Sequence, residues 1–96
     1  MGSLFFKTIS FNQPLNDWNV SNVTKMEFMF DNTKQFNQSL NNWNVSNVKN
    51  MDYMFTGAES FNQSINDWNV SSVTTMKWMF HDVKSFNIKE NAPWYL

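Results

Sequence analysis

The 96-residue chain has no cysteine and a single histidine, His81. The first absence excludes a disulfide framework and thiolate metal sites, and leaves the redox compartment open. The second leaves a transition-metal site to be assembled around His81 from carboxylates such as Asp82, so His81 reads as a solvated loop residue. No convergent set of ligand residues points to a metal or a cofactor. Charge is also scarce: charged residues make up 16% of the chain and the net charge is −1, against roughly 25% charged residues in ordinary globular proteins. The lysines are scattered singly, so no basic patch exists to neutralise phosphates, and nucleic acid is disfavoured as a partner. No apolar run approaches the roughly 18 residues of a membrane span.

What the chain does contain is aromatic rings, 18% of residues, set among Asn, Ser, Thr and Gln. These are arranged with a period. The stretch FNQPLNDWNV from Phe11 returns as FNQSLNNWNV from Phe36 and as FNQSINDWNV from Phe61. Three complete units follow, 11–35, 36–60 and 61–85, and 12 of their 25 positions are identical in all three. Apolar rows include Trp18/Trp43/Trp68, Val20/Val45/Val70, Val23/Val48/Val73, Met26/Met51/Met76, Met29/Met54/Met79 and Phe30/Phe55/Phe80. Residues 4–10 read as the tail of a preceding coil, because Leu4-Phe5 stands 25 residues before Met29-Phe30. Residues 86–96 open a fourth coil and then abandon the pattern, with Pro93 in the tryptophan row and Trp94 displaced by one.

An unbroken period with equivalent residues at each turn implies stacking, in which the rows become continuous ladders of a quasi-one-dimensional solenoid. About three units are the minimum for stability, since none can bury its apolar side alone. The whole chain is then one solenoid domain. Within a unit, Met26, Met29, Phe30 and Thr33 fall at helical spacing, and Thr24 with Glu27 fits a capping box. The spacing predicts a short strand near 22–26, a helical turn or short helix near 27–34, and an extended segment from Phe36 to Leu40. Asn12, Asn16, Asn19 and their equivalents are assigned to corners, where Asn tolerates left-handed backbone and bonds nearby main-chain groups or the next coil.

The rows Phe-Asn-Gln, Trp-Asn-Val-Ser-Asn-Val and Met with Met-Phe downstream resemble a bacterial surface-protein tandem repeat of about 26 residues, within the range of leucine-rich units. That repeat occurs in lipoproteins and is similar to the BspA type of leucine-rich repeat. The resemblance spans residues 4–87, in units of 25 residues. It implies a right-handed, leucine-rich-repeat-like solenoid at the cell surface or in a secreted protein, with adhesion or protein interaction as the associated role. No catalytic residue belongs to the pattern, so none is carried over.

The residues themselves offer little chemistry. Ser21, Ser46 and Ser71 lack a neighbouring base to activate them. Glu27 and Asp52 share a row that holds Lys77 in the third unit, which reads as charge-paired surface and not as the carboxylate pair of a hydrolase. Met26 and Met29 read as soft core filler. Asn-x-Ser/Thr recurs at Asn19, Asn22, Asn37, Asn44, Asn62 and Asn69 because the repeat recurs. The row Phe28/Tyr53/Trp78 is always aromatic and never the same residue. Such variation suits a partly exposed strip that binds a protein or stacks on sugar, or else a wall residue packed over an element's edge.

The expected function is a non-catalytic scaffold that displays variable rows, with Phe28, Tyr53, Trp78, Glu27, Asp52 and Lys77 as candidate partner-binding residues. Three further variable rows join them: Asp31/Thr56/His81, Lys34/Glu59/Lys84 and Thr24/Lys49/Thr74. The alternative is a structural spacer or self-associating segment. At the N-terminal end Leu4, Phe5, Phe6 and Ile9 are apolar and lack a charged cap. Trp94, Tyr95 and Leu96 are placed to fold back over the last coil. An end that is open at the N-terminus and closed at the C-terminus follows, with a possible homodimer through the open coil.

Overall fold

The computed structural model describes residues 12–95. Each repeat unit is a succession of tight turns. In the central unit Trp43 donates its backbone N–H to the Leu40 carbonyl, Val48 to Val45, Met54 to Met51, Thr56 to Tyr53, Ala58 to Phe55 and Phe61 to Ala58. The corner at Asn44 is set by its side chain, whose Oδ1 accepts from the Ser46 N–H and hydroxyl at 3.1 and 2.6 Å. Asn19 holds Ser21 in the same way, and Asn69 accepts from the Ser71 N–H. A short amide bonding two residues ahead imitates a backbone turn, which accounts for Asn at this position in all three units.

The region 27–34, expected as a helical turn or short helix, is a run of turns without a helix, so Thr24 and Glu27 cap none. Phe28 and Asn32 have φ of 60° and 58°, as do Tyr53 (58°) and Gly57 (73°), and Trp78 (58°) and Asp82 (59°). A helix would spend every N–H within its own segment. Here the N–H groups alternate. Those of Met29, Asp31 and Thr33 close turns onto Met26, Phe28 and Phe30. Those of Met26, Phe28, Phe30 and Asn32 cross to the Asn50, Asp52, Met54 and Thr56 carbonyls of the next unit, at 2.8–3.0 Å. The apolar spacing that suggested a helix is still satisfied, because Met26, Met29, Phe30 and Thr33 are all buried. In place of the predicted strand near 22–26 stands one parallel bridge per junction, Lys25 with Asn50 and Asn50 with Thr75.

The crossing ladder repeats one unit on: Met51, Tyr53, Phe55 and Gly57 donate to Thr75, Lys77, Met79 and His81. Side chains add to it. Asn12 Oδ1 accepts the Asn37 N–H and Asn37 Oδ1 the Asn62 N–H, each at 2.9 Å. Gln38 and Gln63 reach the same two asparagines with their side-chain amides. The Trp43 indole donates to the Leu15 carbonyl and the Trp68 indole to that of Leu40, both at 2.9 Å. Three units therefore lie one on the next in register, each equivalent pair separated by one period.

Between them runs a double column of rings. Phe30, Phe55 and Phe80 stack in sequence at 5.4 and 5.7 Å, and Phe36, Phe61 and Phe86 at 5.9 and 5.4 Å. Where one unit passes into the next the two columns touch at 4.5–4.6 Å, nearly parallel. Parallel offset rings are a favoured aromatic geometry, worth about 0.5–1.5 kcal/mol per pair beyond area burial. Of the tryptophans, Trp43 and Trp68 are buried, whereas Trp18 is 42% exposed.

The tail supplies one regular helix, α1 (Ile88–Asn91), capped by Asn87, and a single 3-10 turn, Pro93–Tyr95. Despite its displacement, Trp94 takes the next place in the tryptophan row. Its indole donates to the Ile65 carbonyl at 3.0 Å and its ring stacks on Trp68 at 6.2 Å. The closure is partial, which corrects the expected closed end. The tail bonds or stacks to Phe61, Asn62, Ile65, Trp68 and Phe80. Val70, Val73 and Met76 stay partly exposed, although Val45, Val48 and Met51 are buried in the central unit. Leu96 lies outside the described residues, as do Leu4, Phe5, Phe6 and Ile9, on which the expected open N-terminal coil and its homodimer rest.

Candidate functional site

Every unit places two residues at positive φ, four positions apart. One row is Asn32/Gly57/Asp82, the residue types that adopt left-handed backbone most readily. Gly57 is also close-packed there: a Cβ would fall 2.5 Å from Asn32 Oδ1. The other row is Phe28/Tyr53/Trp78, and for bulky aromatics such a backbone is a genuine outlier. The backbone alone would favour Gly or Asn at all six positions. The sequence signal for the first row was the recurrence of Asn, Gly and Asp at one position. For the second row no signal existed, because aromatic residues give no hint of φ.

The turn explains where these rings point their bulk. Phe28 is the third residue of the turn closed by Met29 N–H to Met26 O, and Tyr53 occupies the same place in the turn 51–54. A third turn residue at positive φ is what type II turns require. The Phe28 and Tyr53 rings stack at 4.8 Å with 3° between planes, and both residues are half-buried. Trp78 is 56% exposed, with the His81 ring edge-on at 5.2 Å. Its carbonyl accepts from Thr56 Oγ1. The row is thus half-buried at Phe28 and Tyr53 and open at Trp78.

The neighbouring row Glu27/Asp52/Lys77 does not present three like side chains. Asp52 Oδ1 accepts from Thr75 Oγ1 at 2.6 Å and from the Lys77 N–H at 2.7 Å, so this carboxylate ties two units together. Glu27 is half-buried, and its Oε2 is buried without a hydrogen-bond partner. Lys77 is exposed. The expected charge pairing along this row is absent among the described residues, where Lys84 pairs with Glu59 at 3.8 Å and the His81 ring lies 3.4 Å from the Asp82 carboxylate, both largely exposed. Asp31, of the variable row with Thr56 and His81, is buried and displays nothing, against the expectation. Of the six candidate residues, Lys77 and Trp78 are exposed and Phe28, Tyr53 and Glu27 half-buried, whereas Asp52 serves the junction.

The serines have structural employment, as the Asn19–Ser21 and Asn44–Ser46 bonds show. Among the described residues no cavity opens, no three His, Asp or Glu side chains converge as metal ligands would, and no helix is long and apolar enough to cross a membrane.

No curated protein and no solved structure matches the chain. A family pattern does, described as "Mycoplasma protein of unknown function, DUF285", over residues 1–94. With nearly its whole length matched, and with the repeat running through the match, the chain belongs to this bacterial repeat family.

Proposed function

We propose that the chain is a non-catalytic binding scaffold of a bacterial surface or secreted protein, built as a right-handed solenoid similar to BspA-type leucine-rich repeats. In this reading it engages a protein or glycan partner through the strip Phe28/Tyr53/Trp78, with Lys77 beside it. One observation carries the proposal: three large rings occupy backbone positions that disfavour them, while the companion row is filled by Asn, Gly and Asp. Holding a residue in a sparsely populated region costs about 1–3 kcal/mol, and such residues cluster at ligand clamps and binding sites. Stacking of Phe28 on Tyr53 offsets part of that cost; it does nothing for an exposed Trp78. A flat aromatic face of graded exposure suits the face of a sugar ring or an interface anchor.

The test is a glycan and protein array probed with the chain and with a Phe28→Asn, Tyr53→Asn, Trp78→Asn variant. Asn tolerates positive φ, so the variant is expected to keep its melting temperature and lose the captured partner. Undiminished capture by a folded variant would assign binding elsewhere. The alternative reading, a spacer or self-associating segment, draws on a different observation, the ends of the stack.

A further inference from the structure

Lysines that stand singly in the sequence are gathered by the stack. Lys25, Lys49 and Lys77 come from three successive units, and each precedes its unit's residue of the row Phe28/Tyr53/Trp78 by no more than four positions. Backbone bonds set these segments side by side. Lys49 donates its N–H to the Thr24 carbonyl, and Lys25 bridges to Asn50. Lys77 donates its N–H to Asp52 Oδ1, and its carbonyl accepts the Tyr53 N–H. The bond from Thr75 Oγ1 to Asp52 Oδ1 shows that the rows Lys25/Asn50/Thr75 and Glu27/Asp52/Lys77 project to one side.

In these rows the exposed charges are positive. Lys25, Lys49 and Lys77 are exposed, and none forms an ion pair among the described residues. The carboxylates beside them are withdrawn. Glu27 is half-buried with its Oε2 out of solvent, and half-buried Asp52 accepts from Thr75 and Lys77. Elsewhere the exposed charges have partners of their own: Lys84 has Glu59 at 3.8 Å, and Asp82 lies 3.4 Å from the His81 ring. Like charges carried on successive units repel, and an outside anion relieves this.

The rings favour the same sign. Phe28 and Tyr53 each spend a face on the other, 4.8 Å apart with 3° between planes. The stack therefore runs through their faces, and its side shows their rims. A ring's rim carries the positive end of its quadrupole. A sugar needs a ring face to stack on, whereas a carboxylate suits a rim with ammonium groups beside it. An extended peptide presents alternate side chains on one face, so alternating acidic residues would meet successive units.

We infer that the partner of this strip is an acidic polypeptide segment, held by Lys25, Lys49 and Lys77 against the rims of Phe28 and Tyr53. The inference rests on the strip reading and narrows its partner to a carboxylate-bearing protein segment.

Fluorescence anisotropy tests it with a labelled peptide of alternating Glu and Thr, beside its Gln–Thr and Lys–Thr counterparts and an oligo-uronate of equal charge. The Glu peptide is expected to bind saturably and to weaken as salt rises. A Lys25→Gln, Lys49→Gln, Lys77→Gln variant is expected to weaken it about tenfold, the combined effect of three exposed ion pairs. These side chains are in solvent, so the fold is kept; should the triple variant not fold, Lys49→Glu is expected to act in the same direction. Equal affinity of the folded variant, or of the Gln or Lys peptide, would overturn the inference. Tighter binding of the oligo-uronate would overturn it in favour of an acidic glycan. The Phe28→Asn, Tyr53→Asn, Trp78→Asn variant separates this inference from the reading beneath it. Binding lost with the lysines but kept without the rings would sink the strip reading and leave an acidic-peptide site made by the lysines. Binding kept without the lysines but lost without the rings would sink this inference and leave the strip.

Discussion

Phe55 is a fully buried ring with four aromatic neighbours. It stacks on Phe30 at 5.4 Å, Phe61 at 4.5 Å and Phe80 at 5.7 Å, and is tilted against Trp68 at 6.3 Å. Phe55→Leu keeps most of the volume, so the repacking cost stays below about 1.5 kcal/mol. The four aromatic pairs are worth about 0.5–1.5 kcal/mol each beyond burial, and neighbours are not additive. A loss of about 2–4 kcal/mol follows, a large share of the roughly 5–15 kcal/mol that holds a domain folded. Phe86→Leu is the internal comparison: among the described residues that ring is stacked on Phe61 and Phe80 alone, so about half the loss is expected by the same pairwise reasoning. Urea melts followed by near-ultraviolet circular dichroism measure both, with an unchanged slope showing that only stability moved. A Phe55→Leu loss under about 0.5 kcal/mol would refute the view that ring stacking holds the units together. Equal losses at Phe55 and Phe86 would refute the pair counting.

Gly57→Ala is expected to lower stability by about 1–2 kcal/mol, because φ is +73° and the added methyl meets Asn32 Oδ1. Thermal melts show it, and an unchanged midpoint would mean the left-handed turn is dispensable. Trp43→Phe keeps a ring and removes the indole bond to the Leu15 carbonyl. That carbonyl also accepts the Trp18 N–H, so the expected loss is only about 0.5–1.5 kcal/mol in a denaturant melt.

Much of the internal order was legible in the chain. A period without insertions fixes which residues become equivalent, and burial of Met26/Met51, Met29/Met54/Met79 and Phe30/Phe55/Phe80 follows from row identity. The asparagine at Phe-Asn-Gln could be read as structural because an amide at a corner has few other uses. The secondary structure could not be read. Spacing of i, i+3, i+4 and i+7 reports which side chains share a face, and turns closed at i−3 serve that face as well as a helix does. What decides between them is where the N–H groups find carbonyls, and half of those carbonyls belong to residues 24 positions away. The left-handed Phe28 and Tyr53 are a product of the same demand: the segment must release every second N–H outward, and only the stacked neighbour supplies the reason. Nor could the sequence tell that the tail reaches Trp94 into the tryptophan row yet stops short of Met76 and Trp78. That is set by how far a four-residue helix and one turn can carry the chain across the end of the stack, which is a length measured in space.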